Sequence, residues 1–185
     1  MKHTPTDGLP QQERGTSLFR RVLDATPDGV EPRDRRDVLA RQLREQTGLD
    51  DAVLERLVRR FYAMAQQDAA LGPLFAAHVG DWEMHYSRMV DFWASVGLLA
   101  GRYHRNALQA HRPLGLRSAH FARWLELFDQ ALQMEVSPQA RAHLLVIAQR
   151  IAATLRSRLC TDDPAAQGAL KLLAATKDTS PFQAP

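Results

Sequence analysis

Apolar positions in the middle of the chain recur at helical spacing and break off at a few well-marked places. Val53, Leu54, Leu57, Val58, Phe61 and Ala65 form one stripe, which predicts a first long helix ending before Leu71-Gly72-Pro73. A second helix is predicted from near Asp81, with Met84, His85, Met89, Phe92, Trp93 and Val96 largely on one face, fading at Gly97 or Gly101. Residues 102–117 hold no sustained period and contain Pro113 and Gly115, so a loop with one helical turn around His111 is expected. Ser118 is a favoured N-cap type and opens a third helix whose face carries Phe121, Trp124, Leu125, Phe128 and Leu132. Ser137-Pro138 offers a cap and a first-turn proline to a fourth helix striped by Leu144, Ile147, Ala148, Ile151 and Leu155. Nowhere do β-branched or aromatic residues alternate over a strand's length. The expected fold is all-α, with four main helices in two antiparallel pairs.

The two ends differ from this middle part. Prolines 5, 10, 27 and 32 with Gly8, Gly15 and Gly29 divide residues 1–47 into short pieces. Apolar positions at helical spacing (Leu18, Phe19, Val22, Leu23, then Val38, Leu39, Leu43) predict one or two short helices there. We therefore divide the chain into an N-terminal extension of residues 1–47, partly helical or disordered, a domain of residues 48–160, and a C-terminal tail of residues 161–185. In the tail, Leu170, Leu172 and Leu173 fit one short helix, and the last residues are expected to be disordered.

Composition narrows the function classes. At 185 residues, 45% hydrophobic and 24% charged, the chain suits one globular domain with a sizeable core. The net charge of +3 comes with interspersed signs and no basic stripe between aromatics, so nucleic acid is not an expected partner. Cys160 stands alone and cannot form an internal disulfide. The first residues lack an apolar signal core and no window reaches membrane-span length, which leads us to expect a cytoplasmic protein without a membrane partner.

The chemistry concentrates between Trp82 and Phe128, where histidines and large aromatic rings alternate along successive predicted helices. Such a set suits a buried porphyrin iron, which needs one imidazole ligand, a polar lid and flat apolar walls. Of the seven histidines, His3 lies in the irregular start, His143 reads as a surface or boundary residue, and His78 falls in a connecting segment. His85 stands on an otherwise apolar stripe, where it fits a hydrogen-bonded core residue as well as a ligand. His104, His111 and His120 surround the irregular loop. Trp124 and Tyr62 fit plain core packing equally well, since buried N–H and O–H groups need only some partner.

Taken together, Phe61-Tyr62, Leu71-Gly72-Pro73-Leu74-Phe75, Trp82-x-x-His85-x-x-x-Met89-x-x-Phe92-Trp93, Gly101-Arg102-Tyr103, His111-Arg112-Pro113-Leu114 and His120-Phe121-x-x-Trp124-Leu125-x-Leu127-Phe128 resemble the group III truncated haemoglobins. The resemblance covers residues 48 to about 158. It implies a two-over-two antiparallel helical sandwich around a non-covalent haem b (iron protoporphyrin IX). Carried over position by position, His111 matches the proximal iron ligand, Tyr62 the distal tyrosine, His85 the distal-helix position and Trp124 the distal tryptophan. Phe75, Met89, Phe92, Trp93, Arg112 and Phe121 match the cofactor's surroundings. The stretch Tyr103-His104-Arg105-Asn106 departs from the family's glycine- and proline-containing loop and makes His104 a competing ligand. Arg102, Arg105, Arg112 and Arg117 are candidates to pair with haem propionates.

What the resemblance implies for function is binding of oxygen, nitric oxide or carbon monoxide under a polar distal pocket. Tyr62 O–H and Trp124 Nε1–H would stabilise negative charge developing on a diatomic ligand. A hydrogen bond to a charged group is worth about 1.5–3 kcal/mol, enough to slow ligand escape roughly tenfold or more. That favours ligand capture or nitric oxide detoxification, with an unidentified reductase resetting the iron, over delivery. The alternatives are a peroxidase- or nitrite-reductase-like haem enzyme using Tyr62, His85 and Trp124, and a gas sensor signalling through residues 1–47. A monomer or weak dimer is expected.

Overall fold

A computed structural model describes residues 32–160. Seven α-helices follow one another: α1 (Pro32–Thr47), α2 (Asp51–Gln67), α3 (Gly72–His78), α4 (Trp82–Leu98), α5 (Ala107–His111), α6 (Ser118–Glu135) and α7 (Pro138–Leu159). A single 3₁₀ turn, Arg112–Leu114, follows α5. No strand occurs among the described residues. The four long helices expected from the apolar stripes are α2, α4, α6 and α7, arranged as two antiparallel pairs, with α2 packed on both α4 and α6, and α6 on α7.

Side-chain caps define where three of these helices start. Asp50 accepts from the Val53 N–H at 2.7 Å, Asp81 from Met84 at 3.0 Å and Ser137 from Ala140 at 3.2 Å. Each satisfies one of the donors that a helix N-terminus leaves unpaired. At α6 the sequence reading is off by one residue. Ser118 is the first helical residue, Arg117 takes the cap position, and His120 Nδ1 accepts the Arg117 N–H at 3.1 Å. The segment read as a plain connection after α2 contains α3, with Pro73 in its first turn. A proline there forfeits no intrahelical hydrogen bond, so it starts this helix instead of breaking one.

The core lies between the four long helices. Phe128, Leu54, Leu57, Leu98, Leu132 and Leu144 are completely buried within it. Trp93 and Trp124 both stack nearly parallel to Phe128, with ring centroids 4.5 and 5.1 Å away. A smaller cluster of Phe121, Ala152, Leu155 and Cys160, with Leu108 and Leu116 against it, joins α5, α6 and the end of α7.

His143 corrects the sequence reading. It is buried, only 5% exposed, and its Nε2 donates to the Gly97 carbonyl at 2.8 Å. Gly97 lies in the last turn of α4, where carbonyls lack intrahelical partners, so His143 supplies a donor that the helix end requires. Absence of a side chain at Gly97 permits the approach, because a Cβ there would come within 2.9 Å of Leu144 Cδ2. Burial pushes the His143 imidazole pKa down, opposed in part by the bond to Gly97.

α1 packs against α7 and α4, burying Leu39 and Leu43. Ser137 Oγ donates to the Thr47 carbonyl at 2.8 Å and so ties the end of α1 to the start of α7. The apolar positions Leu18–Leu23 and Leu170–Leu173 lie outside the described residues. None of the described helices is long and apolar enough to cross a membrane.

Candidate functional site

A cavity of about 690 Å³ opens beside the aromatic stack, a size within the range of small-molecule and cofactor pockets. Its walls come from α3 (Leu74, Phe75, His78), α4 (His85, Arg88, Met89), the 103–116 segment (Tyr103, Arg105, Asn106, His111), α6 (His120, Phe121, Trp124) and α7 (Ile151, Ala152, Leu155). Apolar and aromatic walls with a few polar groups suit a flat, largely hydrophobic guest.

Four histidines reach this cavity, and their hydrogen bonds set them apart. His111, the last residue of α5, has Nδ1 2.7 Å from the Ala107 carbonyl. A carbonyl can only accept, so the proton sits on Nδ1 and the Nε2 lone pair is left available. A short helix is enough to do this, because the bond spans a single turn, and Asn106 caps that turn by accepting from the Gln109 N–H at 3.2 Å. His78 has the same tautomer, fixed by the Leu74 carbonyl at 2.8 Å. His120 is the reverse: its Nδ1 accepts from Arg117, so its proton lies on Nε2 and neither nitrogen offers a lone pair. Among the described residues His85 Nε2 is buried and has no hydrogen-bond partner. Burial, and then the charge of Arg88, press the His85 pKa down, which favours the neutral ring. An unpartnered buried imidazole nitrogen beside a cavity is costly unless a ligand meets it.

The remaining candidates divide into two sets. Phe75, Met89, Phe121 and Trp124 line the cavity with His85 and His111. Tyr62, Phe92, Trp93 and Arg112 do not. Tyr62 lies one layer back, with its ring edge-on to His85 at 4.7 Å and to Phe75 at 5.2 Å. Burial raises its pKa, so its hydroxyl remains protonated. Trp93 supports Trp124 from behind, stacked at 6.4 Å, and Phe92 packs edge-on to Trp93 and Tyr103. Arg112 is exposed on the 3₁₀ turn, and His104 is likewise exposed and away from the lining. Of the four arginines read as propionate partners, only Arg105 lines the cavity; Arg102 is engaged by Asp51 at 2.6 Å and Asp91 at 3.0 Å. Sequence reasoning missed Arg88 and His78. Each is one turn from a residue already singled out, Met84 or Leu74, but its direction depends on the helix phase.

The α3 wall depends on one carboxylate. Asp68 accepts from the Ala70 and Leu71 N–H groups, both at 3.0 Å, and from Arg123 Nε at 2.7 Å. Arg123 foremost, with the two backbone bonds, holds the Asp68 pKa below the ordinary value of 3.8. A depressed folded-state pKa contributes stability that is complete above the unfolded pKa and is lost as pH falls through the folded one. Asp68→Asn should therefore lower Tm at pH 7 and flatten the decline of Tm below about pH 4, as followed by circular dichroism.

With this geometry in place, comparison with known proteins settles the family. The family described as bacterial-like globin matches residues 42–157. The chain belongs to the bacterial-like globins. Over 111 residues this globin is 29% identical to a group 3 truncated haemoglobin of Campylobacter jejuni, a match covering 57% of this chain and 87% of that relative. It is also similar to the crystal structure of a group III truncated haemoglobin from Campylobacter jejuni, with a TM-score of 0.59 and 27% identity over 62% of this chain and 94% of the other. Membership of the globin family implies haem binding. The residues present fit that group: the cavity is large and mainly apolar, His111 offers a fixed imidazole lone pair, and His85 Nε2 is buried without a partner.

Proposed function

We propose that this globin holds haem b through His111 and captures oxygen or nitric oxide on the side facing His85. The observation that carries this reading is the His111 tautomer on the cavity wall, fixed by the Ala107 carbonyl. A hydrogen bond from the far ring nitrogen to a carbonyl orients an imidazole and raises its basicity toward iron. Phe75, Met89 and Phe121 would hold the porphyrin by apolar contact, and Arg88 and Arg105 suit its carboxylates. When bound, the haem iron supplies reversible binding of diatomic gases. The chain's own residues set the polarity around such a ligand. Trp124, which carries an N–H donor, lines the cavity, and Tyr62, whose hydroxyl stays protonated, lies just behind His85. A donor at the cavity wall facing developing negative charge favours retention over release, and Tyr62 adds to it from the layer behind.

This polarity supports capture and nitric oxide detoxification more than delivery. Conversion of nitric oxide and dioxygen to nitrate consumes one electron per turnover, so an external reductase would be required. The test mixes the ferrous oxygenated protein with nitric oxide in a stopped-flow instrument. Stoichiometric nitrate within milliseconds supports the reading, and release of unreacted oxygen contradicts it.

A second reading, a peroxidase- or nitrite-reductase-like activity, is favoured by His85, whose unpartnered Nε2 could accept or donate a proton beside the ligand. If so, His85→Ala retains haem and loses turnover with peroxide or nitrite by about 10²-fold or more, the usual scale of general acid–base catalysis. Unchanged steady-state turnover in that variant removes the acid–base role.

A further inference from the structure

We propose that Arg36 of α1 is a positioning residue that braces the α4–α5 connection, and through it the cavity wall carrying Tyr103, Arg105 and His111. As regards function, the inference rests on the reading of His111 as iron ligand. Its structural half stands apart from that reading.

α4 ends in a left-handed residue, Leu99 at φ 58°, and the Ala100 N–H closes back on the Ala94 carbonyl at 3.1 Å. Glycine normally takes such a position, so a leucine there needs outside support. Arg36 gives it, donating from both Nε (2.9 Å) and Nη2 (2.7 Å) to the Leu99 carbonyl. Two residues later Gly101 adopts φ 67°, and a Cβ at that position would fall within 2.3 Å of Arg36 Nη2. The guanidinium thus occupies the space that a side chain at residue 101 would take.

Just beyond, the connection is fastened again. Ser95 Oγ accepts from the N–H groups of Arg102 and Tyr103 at 2.8 and 2.9 Å, and the Arg102 side chain pairs with Asp51 and Asp91. Those ties hold residues 102–103 to α4 and α2. Arg36 is the tie that comes from α1, and it lies before residue 42, where the family match begins. From Tyr103 onward the chain lines the cavity and leads through the Asn106 cap into α5 and His111. Loss of the clamp frees the start of a connection whose far end sets the direction of the imidazole.

The test is hydrogen exchange followed by mass spectrometry on the full chain as purified, for wild type, Arg36→Ala, Arg36→Lys and Gly101→Ala. Arg36→Ala is expected to speed exchange across residues 99–106 at least about tenfold, with α2 and α6 peptides unchanged. Gly101→Ala, which strains a φ of 67° as well as displacing the guanidinium, should speed exchange at least as much, and Arg36→Lys should recover part of the protection. In the haem-loaded form, the ferrous iron–imidazole stretching band should broaden or shift in Arg36→Ala and return toward wild type in Arg36→Lys. Unchanged exchange over 99–106 in both Arg36→Ala and Gly101→Ala overturns the brace. So does a uniform rise over the whole chain, which would make Arg36 a general stabiliser. Altered exchange with an unaltered band keeps the brace and overturns its link to His111. The exchange arm reads out even if no haem binds, so failure of the haem reading is seen separately.

Discussion

Replacing His111 with alanine is expected to weaken haem retention by at least about a hundredfold and to collapse or shift the Soret band. Loss of a residue that merely supports a metal ligand costs about 10–100-fold, and loss of the ligand itself should cost no less. His111 is proposed as the ligand on the strength of its tautomer and of the capped turn that carries it. Its Nδ1 proton is committed to the Ala107 carbonyl, its Nε2 lone pair is free, and Asn106 caps the turn that carries it. His120 is protonated on the nitrogen that would have to ligate, and His104 is exposed away from the lining. His78 shares the His111 tautomer and lines the same cavity, so His78→Ala is the necessary control. The expected pattern is loss in His111→Ala, rescue of its spectrum by free imidazole, and near wild-type behaviour in His78→Ala and His104→Ala. Retention in His111→Ala with loss in His78→Ala would move the ligand to α3.

The second large effect concerns the polar side of the pocket. Trp124→Leu is expected to speed oxygen dissociation from the ferrous protein by roughly tenfold or more. That is the kinetic equivalent of one charge-assisted hydrogen bond of about 1.5–3 kcal/mol. Tyr62→Phe should act in the same direction and less strongly, because Tyr62 sits behind His85 and Phe75 and not on the cavity wall. The double variant tests whether the donors act on one ligand. Two donors sharing one acceptor give non-additive changes, whereas independent effects add. Stopped-flow displacement of oxygen by carbon monoxide measures all three variants. If neither substitution changes the rate, both rings are packing residues, and the stack of Trp93, Trp124 and Phe128 is all that the tryptophan serves.

The elements legible in the sequence were those whose cause is local. The stripe Leu54, Leu57, Val58, Phe61 repeats at the helical period, and Asp81 and Ser137 stand at the starts they cap, so α2, α4 and α7 are legible directly. α3 was hidden because seven residues are too few to display a period, and Pro73 reads as a break unless it is known to sit in a first turn. The burial of His143 is not legible in the sequence because it depends on a carbonyl 46 residues away. Arg36 was not singled out for the same reason, since its partner lies 63 residues along the chain. Within the site, residue types identified which side chains could serve, but helix phase decided which ones reached the cavity. Phe75, His85, Met89, His111, Phe121 and Trp124 reach it, and Tyr62, Phe92, Trp93 and Arg112 stand outside the lining.

The proposed function stands or falls with haem in this cavity. The most direct measurement is a haem titration of the purified full chain, followed through the Soret band and completed by spectra of the ferric, ferrous and carbon monoxide forms. Saturation at one haem per chain, with a ferrous carbon monoxide spectrum of histidine-ligated type, is the predicted result. A titration without a one-to-one end point, or a Soret band no different from haem on an unrelated protein, would contradict it.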